Sequence, residues 1–222
     1  MTIRHKVSAT LIAAAATLGC AALPASADAA PVASSAAPAG VAISGRDGLA
    51  AYANVALDAW ASYANSGSTT SLNSFVSIRD ALATEAARRL GLDAGAMRAA
   101  WAKADTSHQV ALIAAFTQLG TPYRRNTSKP GVGFDCSGLT TFAWGQAGKV
   151  LFRQSGTQIK NAAAVTRETA QAGDLVYYPG HVMLYLGLGN AIIHAPYTGR
   201  NVEVAFISKS KVNSVRFGNP IG

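Results

Sequence analysis

The chain has 222 residues, a formal net charge of +8 and a half-hydrophobic composition, which excludes wholesale disorder and fits one large domain or one domain with an appendage. Its two cysteines, Cys20 and Cys136, are too few for a disulfide scaffold. The one sustained apolar run is short and N-terminal, so no long membrane span is expected.

That run reads as a leader. Arg4, His5 and Lys6 precede the apolar stretch Leu11 to Leu23, and Ala25-Ser26-Ala27 forms a small-residue cleavage signature before Asp28. An uncleaved anchor is the alternative, which the charged flank and the shortness of the run oppose. Residues 1–27 are therefore expected to be a signal peptide, which would remove Cys20 and leave Cys136 as the single thiol of an exported chain. Residues 28–45 are mostly Ala, Ser, Pro and Gly, a composition expected of a flexible linker.

Residues 46–104 read as an Ala-rich helical accessory region. Leu49, Tyr52, Val55, Ala59 and Tyr63 recur at helical spacing, and Asn65-Ser66-Gly67 supplies a stop. Thr70 or Ser71 is expected to cap a second helix with Leu72, Phe75, Val76, Leu82 and Ala86 on one face, ending at Leu90-Gly91. Asp93 caps a third, bearing Met97 and Trp101. The region has no His and no Cys, so packing or docking is the expected role.

A second unit is expected over 105–222. Charge divides with it: residues 28–105 carry six Lys and Arg against seven Asp and Glu, residues 106–222 eleven against four. Asp105 to Ser107 offer caps for an amphipathic helix through Leu119-Gly120, in whose first turn His108 is expected to be exposed. A polar loop runs to Gly133, and a helical stretch runs from Leu139 to Gly148. Strands are expected at 174–178, 181–186, 191–194 and 202–206, with another at 212–217. Helices first and antiparallel strands afterwards imply the α+β class.

Cys136 sits where loop gives way to helix. Free amides and the helix dipole there favour a thiolate and are expected to lower its pKa. The alternative, an inert buried cysteine, is opposed by the polar, flexible Asp135, Ser137 and Gly138. His181 and His194 flank one hairpin. If Leu188 and Gly189 form the turn, His194 faces Met183, and His181 is its diagonal neighbour on the same face. A slip of one residue would separate them. The pattern suits a cysteine nucleophile, Cys136, with His181 as general base and His194 as the polar partner that orients it. A zinc site from the same three residues lacks a fourth ligand at recognisable spacing.

The segments GTPYRR, GVGFDCSGLTTFAWGQAGKVLFRQSGTQ, AGDLVYY, HVMLYLG and AIIHAP resemble, in order and spacing, the NlpC-type bacterial cell-wall cysteine peptidases. The resemblance implies a papain-like core, with the nucleophile helix packed on an antiparallel sheet. It implies hydrolysis of peptidoglycan stem peptides, commonly between γ-D-glutamate and diaminopimelate, by Cys136, His181 and His194. It places Tyr123 beside the oxyanion, Asp135 and Ser137 in the stem-peptide pocket, and Arg153, Ser155 and Gln158 in the substrate-side loop. Three positions depart from the pattern: Arg125-Asn126 replaces a glycine pair, Phe152 a proline, and Met183 a glycine. No metal or organic cofactor is called for. An N-acetylmuramoyl-L-alanine amidase, a transpeptidase and a non-catalytic wall-binding module stay open as alternatives. The expected partners are stem peptides and, through the basic charge, anionic wall polymers. The expected protein is a secreted, wall-associated monomer without stable membrane insertion. Nucleic acid is not expected, because no stacking aromatics interleave with the Arg and Lys residues.

Overall fold

The computed structural model describes residues 45–222. The expected signal peptide, Cys20 and the expected linker up to residue 44 lie outside them. Helix α1 (Gly48–Ser66) is capped by Asp47, whose carboxylate accepts the Leu49 N–H at 2.9 Å. It stops at Gly67, whose φ of 68° is a left-handed value open to glycine. The cap of α2 (Thr69–Leu90) is Ser68 rather than Thr70 or Ser71. With Gly67 already ending α1, the next hydroxyl is the first one able to turn the chain back into a helix. Gly91 ends α2, and Asp93 caps α3 (Ala94–Lys103) as expected. Arg89 near the end of α2 grips the Asp47 carboxylate at 2.7 and 2.9 Å, which locks the start of α1 to α2.

Helix α4 (Thr106–Phe116) departs from the expected amphipathic pattern. Every residue from Val110 to Phe116 is buried, and so is His108. The helix packs on α1 and on α5 (Cys136–Gln146), so from Val110 onward it has no solvent side to keep polar. Asp105 does not cap it through its side chain. That carboxylate instead accepts from Gln171 Nε2 at 2.9 Å.

After a two-residue ladder of β1 (Ser128–Lys129) with β2 (Gly133–Phe134) comes α5, then α6 (Ser155–Lys160), a helix within what reads as loop. The main sheet contains β3 (Ala163–Val165), β4 (Leu175–Tyr178), β5 (His181–Tyr185), β6 (Ala191–His194), β7 (Glu203–Phe206) and β8 (Arg216–Asn219). Its order is β3-β8-β4-β5-β6-β7, with every pair antiparallel. The expected strand at 212–217 begins only at Arg216, because residues 208–214 are spent on turns.

The α+β class and the cysteine-bearing helix packed on an antiparallel sheet are both present. Strand β5 is buried on both faces: Val182 and Leu184 face the helices, while Met183 and Tyr185 join a second cluster with Val176, Ile192 and Phe217. The main core crosses residue 105 without a break. It joins Leu57, Leu82 and Trp101 of the Ala-rich helices to Leu112, Trp144 and Ile193. The Trp101 indole N–H donates to the Leu186 carbonyl at 2.9 Å, pinning α3 to the end of β5. Among the described residues no helix is long and apolar enough to cross a membrane.

Candidate active site

The site begins with a helix cap. Asp135 Oδ1 accepts the Gly138 N–H at 2.7 Å, which starts α5 at Cys136. Glycine is required at 138, because a Cβ there would stand 2.2 Å from the Thr127 carbonyl oxygen. The loop therefore lies directly on the start of the helix, and Asp135 N–H donates to that same carbonyl at 3.0 Å. This loop carries Tyr123, which the Arg200 carbonyl holds through the Tyr123 N–H at 2.8 Å.

Cys136 is half-buried and unpaired. Its sulfur accepts the backbone N–H of Val182, the residue after His181, and the Ser137 N–H and hydroxyl also favour its charge. Burial nevertheless dominates. It pushes the thiol above its ordinary value, and the Asp135 carboxylate adds to the rise. The expectation of a lowered thiol pKa is thus corrected: desolvation outweighs the helix-end amides.

The histidines meet as the hairpin register requires. Leu184 pairs with Ile193 and Tyr185 with Ile192, and His181 Nε2 lies 2.9 Å from His194 Nδ1. Burial, then His194, brings His181 down to about 3. Burial, then Arg200, brings His194 down to about 4. Near neutral pH both imidazoles are uncharged, and the thiol beside them keeps its proton. Iodoacetamide should accordingly alkylate Cys136 at pH 7 more slowly than it alkylates free cysteine, with a rate still climbing above pH 9. Peptide mapping of the alkylated chain reads this directly. A fast rate that levels off below pH 8 would mean a preformed thiolate and refute this reading of the resting site.

Tyr123 and Tyr178 both stand close to the sulfur. Burial first and Cys136 second push each phenol up. Sequence reasoning missed Tyr178, although a signal was present: the Pro179-Gly180 turn pairs Tyr178 with His181, and their rings lie 5.3 Å apart. Of the substrate-side residues, Asp135, Ser137 and Arg153 come together. Arg153 donates to Asp135 Oδ2 at 2.6 Å and to Ser137 Oγ at 2.9 Å, with 42% of its side chain exposed. Ser155 opens α6 and is half-buried.

Gln158 is a correction. It is 2% exposed, its amide nitrogen donates to the carbonyls of Ser137 and Phe152, and its oxygen accepts from Thr140. It ties α6 and the preceding loop to the base of α5 rather than facing a substrate. His108, expected to be exposed, is wholly buried, with Nε2 2.9 Å from Asp174 Oδ1 and its ring edge-on to Trp144.

A cavity of about 350 Å³ opens beside the histidine pair, lined among others by Tyr178, Met183, Tyr197, Arg200 and Glu203. A larger cleft of about 550 Å³, lined by Arg167, Arg216 and Phe217, shares none of these residues. Among the described residues no group of three or more His, Cys, Asp or Glu is placed to hold a metal ion.

Residues 120–218 match the model of the NlpC/P60 family. The chain is 31% identical over 118 residues to murein DD-endopeptidase MepH of Escherichia coli strain K12, covering 49% of this chain and 43% of that protein. It is 41% identical over 95 residues to the γ-D-glutamyl-L-lysine dipeptidyl-peptidase of Bacillus cereus, covering 39% and 28% respectively. A crystal structure of a Bacillus cereus NlpC/P60 family protein aligns with 50% of this chain and 39% of that one, at 29% identity and a TM-score of 0.46. The chain spans less than half the length of either of these two curated relatives.

Proposed function

We propose, from the match of residues 120–218 to the NlpC/P60 family model, that the chain is a peptidoglycan hydrolase, a cysteine peptidase that cleaves stem peptides between γ-D-glutamate and diaminopimelate. The observation that carries this reading is one juxtaposition. A helix-start thiol accepts the N–H of Val182, while the neighbouring His181 is paired with His194 at 2.9 Å. Relatives named for murein and for a γ-D-glutamyl bond support the substrate class.

The chemistry follows from the parts. His181 Nε2 is engaged by His194, so Nδ1 is the atom left to take the Cys136 proton. A neutral imidazole is the form able to do so, and its low affinity for protons in the resting site means that transfer accompanies attack rather than preceding it. The sulfur then adds to the amide carbonyl. Backbone N–H groups at the start of α5 and the Tyr123 hydroxyl stabilise the oxyanion. The imidazolium returns the proton to the leaving amine, and water, deprotonated by His181, releases the acyl group from sulfur. The Asp135–Arg153–Ser137 cluster presents both charges to the stem-peptide portion before the scissile bond. Export and wall association belong to the same proposal, since the substrate lies outside the cell.

Purified muropeptides digested with the chain and resolved by mass spectrometry test the bond. Products with a free diaminopimelyl N-terminus are expected. Lactyl-muramyl ends would indicate an amidase, peptides joined anew a transpeptidase, and intact muropeptides a binding module. Each of these outcomes would overturn the proposal.

A further inference from the structure

The register of the sheet places Glu203 directly opposite His194, as paired residues of β7 and β6. Glu203 Oε1 lies 3.6 Å from His194 Nε2. That nitrogen is closed off from solvent and has no hydrogen-bond partner among the described residues. Arg200, in the loop before β7, donates through one terminal nitrogen to both Glu203 oxygens, at 2.5 and 2.6 Å, and so aims the carboxylate. Arg200 in turn sits over the Tyr197 ring at 5.8 Å. The arrangement lies on the side of His194 away from His181, and none of it was singled out by the sequence motifs.

One proton occupies the 2.9 Å gap between the two imidazoles, and it has two possible owners. If His194 Nδ1 owned it, His194 Nε2 would turn a bare lone pair toward a carboxylate. His181 would then carry its own proton on Nδ1 and offer the thiol no acceptor. If His181 Nε2 owns it, His194 carries an N–H toward Glu203, and His181 Nδ1 is free to accept.

We propose that Glu203, aimed by Arg200, is a positioning residue that selects the second arrangement and so makes His181 a base toward Cys136. Its consequence for turnover rests on the peptidase reading above. When the thiol proton moves to His181 Nδ1, His181 becomes an imidazolium and no other proton changes place. The positive charge then sits one imidazole away from the Glu203–Arg200 pair, whose charges offset each other, so Glu203 acts by fixing the tautomer and not through its field. The role is separate from that of His194, which touches the base directly; Glu203 acts only through His194.

Two-bond proton–nitrogen spectra of the chain labelled with ¹⁵N-histidine report which ring nitrogens carry protons. At pH 7 the native protein should show both His181 and His194 protonated at Nε2 alone. Finding His194 protonated at Nδ1 would overturn the proposal without any variant. Glu203→Gln removes the charge and keeps the shape on a partly exposed edge strand, and its amide can donate as well as accept. The His194 tautomer should then become mixed or reverse, and kcat should fall roughly 10- to 100-fold with KM little changed. A Glu203→Gln protein with native spectra and native kcat overturns the proposal, as does one that loses KM alone. The spectra need no turnover, so they judge the Glu203 assignment even where the peptidase reading itself fails.

Discussion

Replacing Cys136 with alanine is expected to abolish the proposed stem-peptide hydrolysis, lowering kcat/KM on the order of 10⁴-fold or more while leaving the fold intact. The size of the effect follows from the absence of a second nucleophile at that point. The groups near the sulfur are Tyr123 and Tyr178, whose phenols are pushed up and hold their protons, Ser137 and Asp135, whose oxygens accept from Arg153, and the uncharged imidazole pair. None can replace a thiolate at neutral pH. Stability should change little, because Cys136 is half-buried at the rim of the core, and alanine is a good helix former. Muropeptide digestion measures the first part and thermal unfolding by circular dichroism the second. Cleavage by the Cys136→Ala chain at the native rate would remove the nucleophile from Cys136. Loss of both activity and cooperative unfolding would return the residue to a packing role.

Asp174→Ala should be the most destabilising change of a polar residue at the joint between α4 and the sheet, costing about 3 kcal/mol. Asp174 is 1% exposed. One of its oxygens lies 2.9 Å from His108 Nε2 and the other accepts the Gln171 N–H at 2.7 Å. Removing the carboxylate strands both nitrogens, one of them inside the core beside Trp144. For a folded part of this size the loss corresponds to a fall in Tm of about 10 °C. Asp174→Asn keeps one acceptor and should lose about half as much. An Asp174→Ala protein that melts within 2 °C of the native one would show that His108 finds another partner on relaxation.

The contrast between these two residues shows where sequence reasoning stopped. Cys136 was legible because its signal is local. Asp135, the helix start and Gly138 lie within three residues of it, and the chemistry of a capped helix end depends on neighbours in sequence. The histidine pair was legible for a related reason. Once the Gly-rich turn is placed, antiparallel register dictates which side chains share a face, and the observed pairs follow that register. Caps and stops at Asp47, Gly67, Gly91 and Asp93 were readable on the same grounds. His108 was misread because a position in the first turn of a helix says nothing about what packs against that turn. Gln158 was misread because membership in a substrate-side segment does not reveal which way the side chain points. The thiol pKa was misjudged because the helix-end amides are visible in sequence, whereas the burial that opposes them is not.

Sequence alone determined the α+β order of elements, the helix-start cysteine and the hairpin that joins His181 to His194, since each follows from spacing of a few residues. Tertiary structure alone decided the rest. It buried α4 on every side from Val110 to Phe116 and fused the Ala-rich helices into the core of the basic half. It turned Gln158 inward and Tyr178 toward the sulfur, and it set Glu203 opposite His194. These features depend on which surfaces meet across long stretches of chain. Burial, which raises the thiol and depresses both imidazoles, is a property of those meetings and not of any residue type.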